Sequence, residues 1–166
     1  MIGGIITLVF GVLAIVMFSQ PVIGSYGEAL DGSFNVESSD ASVFDFINFE
    51  GGTYQTVASV FIILSLVFAG IMLILTLVNL IARASSNKSF IGAKVAALMF
   101  FLCMLVTVIM VGMYCINDMF AIFGQGGKDV WDGLREAGTY VTVGWGLLVA
   151  FGSSLLCLIF APRKKK

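Results

Sequence analysis

Four charge-free apolar runs dominate the chain, at residues 2–24, 54–82, 95–114 and 140–161. A hydrocarbon layer about 30 Å thick is crossed by about 20 apolar residues in a helix, so each run is long enough to span. Between them lie an outer segment 25–53, a link 84–94, a second outer segment 115–139 and a tail 162–166. This pattern predicts an all-α, polytopic integral membrane protein with four transmembrane helices. The run at 54–82 is the longest and predicts a tilted or protruding helix. No Lys or Arg precedes the first run, which outlasts the apolar stretch of about 7–15 residues in a secretory signal. It therefore reads as an uncleaved helix.

Charge sorts by side. All ten acidic residues fall in the segments 25–53 and 115–139, whereas seven of the nine basic residues fall in 83–94 and 162–166. Basic residues near span ends stay in the cytoplasm. Both termini and the link are thus expected inside, in a plasma or cytoplasmic membrane, with the two acidic segments outside. The four tyrosines, Tyr26, Tyr54, Tyr114 and Tyr140, each stand where a span meets an outer segment. They read as an aromatic interface belt, ring among the headgroups and hydroxyl in water.

The outer segments carry an internal repeat. Val43-Phe44-Asp45-Phe46-Ile47 is echoed by Val130-Trp131-Asp132-Gly133-Leu134. The octapeptide from Glu50 to Val57 is echoed by the one from Glu136 to Val143. Shared Val, Asp, Glu, Gly, Thr and Tyr in order point to duplication. The predicted organisation is two tandem, parallel two-helix repeats, residues 1–83 and 95–166, joined by 84–94. Before the second and fourth helices, short amphipathic segments are expected to lie in the interface. Asp40 would cap the first, with Val43, Phe44 and Ile47 on one face. An edge strand over 43–49 is the competing reading. Gly52 and Gly138 would turn the chain into the following spans.

Within the last run, Gly138, Thr142, Gly146, Ala150 and Ser154 recur at every fourth position. Residues four apart share a helix face, and small faces let membrane helices approach closely. The stripe predicts packing within the bundle or a contact between copies. Asn79 and Lys94 read as ordinary span ends, and the methionines of the third run as core filler.

Composition narrows the chemistry. The chain is 59% apolar and 11% charged, lacks histidine and has a formal net charge of −1. No span interior holds an ionisable Asp, Glu, Lys or Arg, the usual mark of proton relays and voltage sensors. Without histidine there is no serine–histidine hydrolase and no imidazole-ligated metal. No catalytic, cofactor-binding or metal-binding residue is assigned, and a nucleic-acid partner is not expected. Cys103 and Cys157 lie at membrane depth, while Cys115, near the outer surface, is placed to pair with a partner's thiol.

Four spans, cytoplasmic termini and a larger first outer segment resemble the topology of tetraspan membrane proteins such as claudins, MARVEL-domain proteins, tetraspanins and connexins. The resemblance is one of topology alone. The first outer segment has neither the Trp nor the cysteine pair of claudins, and the outer cysteines of tetraspanins and connexins are missing. The sequence thus predicts a non-catalytic interaction or scaffold protein, surrounded by lipid, presenting acidic outer segments to a protein partner. Phe44, Asp45, Ile47, Trp131, Asp132 and Leu134 are the candidate contacts. The alternatives are a homo-oligomeric pore, an accessory transporter subunit or an immunity protein against a membrane toxin.

Overall fold

A computed structural model describes residues 2–28, 34–38, 42–48, 52–86, 92–117, 132 and 139–162. The chain is mostly helical. Its elements are α1 (Ile2–Met17), β1 (Ile23–Glu28), β2 (Phe34–Ser38), α2 (Val43–Asn48), α3 (Thr53–Ser86), α4 (Gly92–Asn117), β3 (Thr139–Val143) and α5 (Trp145–Phe160).

Two helices, α3 and α4, are long and apolar enough to cross a membrane. They contain the runs 54–82 and 95–114 and overshoot both ends of each. The first and last runs differ from expectation, because neither is helical throughout. Helix α1 stops at Met17, and the amides of Phe18, Ser19 and Gln20 donate to carbonyls three residues back. Pro21 explains the stop: the residue before a proline is pushed out of the helical region, and proline offers no N–H. At the other end, Thr139-Tyr140-Val141-Thr142-Val143 forms β3, since β-branched and aromatic side chains fit a pleated surface better than a helix turn.

These two departures meet. Strand β1 pairs antiparallel with β2 on one side and with β3 on the other, giving the order β2-β1-β3. In this register Tyr26 lies opposite both Val36 and Tyr140, and Ile23 opposite Val143. One small sheet therefore joins the chain just after α1 to the chain just before α5. The octapeptides matched as repeats are also folded differently: Thr53–Val57 opens α3, whereas Thr139–Val143 is strand.

The four long helices neighbour one another in the ring α1-α3-α4-α5. Helices α1 and α5 run antiparallel: a Cβ on Gly3 would stand 2.8 Å from the Phe160 carbonyl oxygen, and the Cys157 thiol lies 3.6 Å from the Thr7 carbonyl oxygen. Helix α1 also lies antiparallel to α3, with Gly4 against Leu80 and Gly11 against Leu73. The start of α1 and the end of α5 thus share one end of the bundle, and the sheet and α2 occupy the other.

The buried residues of α3 include Gln55, Ala58, Ile62, Ser65, Ala69, Met72, Thr76 and Asn79, spaced alternately three and four apart. On α4 the matching set is Ala93, Ala97, Phe100, Met104, Thr107, Val111 and Tyr114. This 3–4 alternation is the seam of left-handed antiparallel helix packing. Val60, Ile63, Val67, Ile71, Ile74 and Ile81 of α3, with Ile2, Ile5, Val9, Val12 and Val16 of α1, face outward instead. The interior mixes small and hydroxyl-bearing residues with large ones such as Ile62, Met72, Phe100 and Met104, while the outward faces carry large aliphatics where a water-soluble protein would carry polar side chains.

Candidate interaction surface

The sheet end of the bundle holds the candidate contacts. Helix α2 starts with a capping box built by Ser42 and Asp45. The Ser42 amide donates to Asp45 Oδ2 at 3.0 Å, the Ser42 hydroxyl to the same oxygen at 2.7 Å, and the Asp45 amide to Ser42 Oγ at 3.4 Å. The cap is thus Ser42, not Asp40, which lies outside the described residues. These hydrogen bonds from Ser42 hold the Asp45 carboxyl below its ordinary value of 3.8. A lowered pKa means the cap contributes fully above that value and loosens as the pH falls through the folded-state pKa. Amide exchange at 43–48 is expected to quicken over that acidic range, and a Ser42→Ala variant to lose the transition.

The face of α2 turned to the bundle is Val43 and Phe46, both buried, with Ile47 packed beside them. Phe44, expected on that face, is instead 57% exposed. Its place is taken by Phe46, whose ring meets Tyr114 edge-on at a centroid distance of 5.4 Å and 84° between planes. That contact leaves Tyr114 only 4% exposed, so its ring packs in the core. Tyr54 is half-buried against the same core. Tyr26 and Tyr140 are register partners in the pairing of β1 with β3.

Gln55 fastens α2 to α3. Buried in the first turn of α3, it donates from Nε2 to the Phe46 carbonyl at 2.6 Å and to Ser59 Oγ at 3.1 Å. Gly52, at φ 90°, makes the corner between the two helices, a conformation in which a Cβ would be strained. Gln55→Leu keeps the volume but leaves the Phe46 carbonyl without its donor. It is expected to cost about 1–3 kcal/mol and to release α2, read as faster amide exchange over 43–48 with α4 unaffected.

The small-residue stripe is taken up inside the chain. Gly146, Ala150 and Ser154 are buried on α5. At Gly146 an added Cβ would collide with the side chain of Gln20 and approach the Met17 carbonyl oxygen to 3.1 Å, so α1 covers this face. Thr142 belongs to β3, not to the helix, which breaks the stripe one step before Gly146. Gly138, Trp131 and Leu134 lie outside the described residues, and Asp132 is exposed. Cys115 is buried and free, as are Cys103 and Cys157, so its thiol faces the core and not a partner.

Sequence reasoning missed the buried polar seam of α3. Most of its hydroxyls, and that of Thr107 facing it, bond back to their own helix: Ser59 to Gln55 O, Ser65 to Phe61 O and Thr107 to Cys103 O. Such back-bonding satisfies a hydroxyl without water. The alternation of small and polar residues three and four apart was the available signal. Among the described residues, no three His, Cys, Asp or Glu side chains come together as a metal would require.

No protein-family model and no curated protein matches this sequence.

Proposed function

We propose that this chain is a non-catalytic membrane protein in which a four-helix bundle holds an outer sheet and the adjoining helix α2 as a docking surface for a protein partner. The observation that carries the reading is the pairing of β1 with β3. It ties the chain that leaves α1 to the strand that leads into α5, making one platform held by backbone hydrogen bonds. Presenting a composed surface, not carrying out a reaction, is what such an arrangement suits. Support for the bilayer setting comes from α3 and α4, from the large aliphatics that face outward on every long helix, and from the small residues between the helices. The basic residues at 83–94 and 163–166 favour termini in the cytoplasm and the sheet outside.

A pore is the weaker reading. The stripe that would join copies is covered by α1, and the hydroxyls of the α3–α4 seam are mostly bonded within their own helices. Phe44 is the side chain to test, since it is large, apolar and exposed where its neighbours Val43 and Phe46 are buried. A photo-crosslinking residue at position 44 is expected to capture a discrete protein in native membranes, while the same group at position 71, on the outward face of α3, captures lipid. Capture of lipid alone from both positions would sink the docking proposal.

A further inference from the structure

The outward apolar faces of the bundle are unequal in height. Helices α1 and α5 have 16 residues each, so each rises about 24 Å, less than the roughly 30 Å of a typical hydrocarbon core. Helix α3, with 34 residues, rises about 51 Å, and its outward aliphatics run from Val60 to Ile81, about 32 Å. On α1 the same ladder runs only from Ile2 to Val16, about 21 Å.

The shortfall lies at the sheet end. At the opposite end the helices are level, with Gly3 beside Phe160 and Gly4 beside Leu80. Gly11 lies beside Leu73, so the antiparallel register brings Met17 level with about residue 67 of α3. The outward face of α3 continues to Val60, roughly 10 Å further. Above α1 and α5 the chain is no longer helix: β3 ends at Val143, with only Gly144 before Trp145, and β1 starts at Ile23. A small open sheet cannot sink into hydrocarbon to make up the height, because its edge N–H and C=O groups would lose their partners.

Resting on the membrane reading above, we infer that the α1–α5 face is a lipid-selective surface that holds phospholipids of short acyl chain and locally thins the outer leaflet, whereas the α3 face is matched to ordinary lipid. Mismatch costs a fraction of a kcal/mol per Å, enough to sort neighbouring lipids by length. Trp145 stands at the outer start of α5 and is part-exposed, so it reports on this face.

The test uses the full chain with Trp131→Phe, which leaves Trp145 as the sole tryptophan, in vesicles of brominated dioleoyl-phosphatidylcholine. Dimyristoyl- or dierucoyl-phosphatidylcholine is added to relieve the quenching, and the two are compared. Several-fold stronger relief by the short-chain lipid is expected at Trp145. A reporter made by Ile63→Trp, with both natural tryptophans changed to Phe, is expected to show no such preference. Equal preference at both positions overturns the inference and leaves the membrane reading standing. Absence of any quenching at Trp145, with quenching at position 63, also overturns it, since protein then covers the face. A chain that fails to float with vesicles of any composition overturns both.

Discussion

Gly144→Ala is expected to cost about 3 kcal/mol or more and to separate the sheet from the helices beneath it. Gly144 is the single residue between β3 and α5. Its amide donates to the Val22 carbonyl at 2.6 Å, which locks the end of β3 onto the turn after α1. A Cβ there would run into the Pro21 carbonyl oxygen and stand 2.8 Å from the Val22 carbonyl carbon. Both obstacles are backbone, so no side-chain rotamer relieves them. The residue has an ordinary extended conformation, φ −66° and ψ 151°, so the cost is one of space and not of dihedral strain. Thermal unfolding in detergent, followed together with protease cutting at the sheet, measures the effect. Gly152→Ala, where an added Cβ meets nothing within 4 Å, is the matched control and is expected to be nearly silent. Equal stability of the two variants would show that the close approach at Gly144 carries no weight.

The second large effect concerns the outer face of α3. Ile74 is 64% exposed, two-thirds of the way along the outward ladder from Val60 to Ile81. Ile74→Lys is expected to lower correctly inserted protein by an amount equivalent to at most about 2.5–3.5 kcal/mol, the cost of a lysine at the centre of a membrane helix. In water the same exchange replaces an exposed aliphatic by a charge and is neutral or favourable to solubility. The sign of the result therefore separates a bilayer from an aqueous surround. Ile74→Leu is the control. Rising yield of soluble, folded protein on Ile74→Lys would count against the membrane reading.

Particular residues show how far the sequence could be read. The apolar runs at 54–82 and 95–114 were legible because they are long and uninterrupted, and α3 and α4 enclose them. Helix α2 was legible from Val43 and the spacing of its apolar neighbours, but not the choice between Phe44 and Phe46. That choice is made by Tyr114, far away in sequence. The sheet was hidden for a related reason. Ile23 and Val143 belong to apolar stretches continuous with helices, and an apolar run by itself does not separate strand from buried helix. What decides is pairing, and the partners come from opposite halves of the chain. The burial of Tyr114 was not legible, because an aromatic at a helix end suits an interface or a core equally well, and only the arrival of Phe46 encloses it. The small face of Gly146, Ala150 and Ser154 was legible as a packing surface, while its occupant was not, since a stripe does not name its partner.

The pairing of β1 with β3 and of α1 with α5 also has a consequence for assembly. A chain made from its amino end produces α1 long before α5, so α1 waits for its antiparallel neighbour until α3, α4 and the segments between have been synthesised. Until then the side of α1 that carries Gly3 and Thr7, and one edge of β1, have no partner, and an unpaired strand edge invites pairing with other chains. Contacts so distant in sequence form slowly, because the loop between them must close first. The final helix and the strand ahead of it thus act as the closing piece of the fold, and the period before they arrive is when the nascent chain is most open to mispairing.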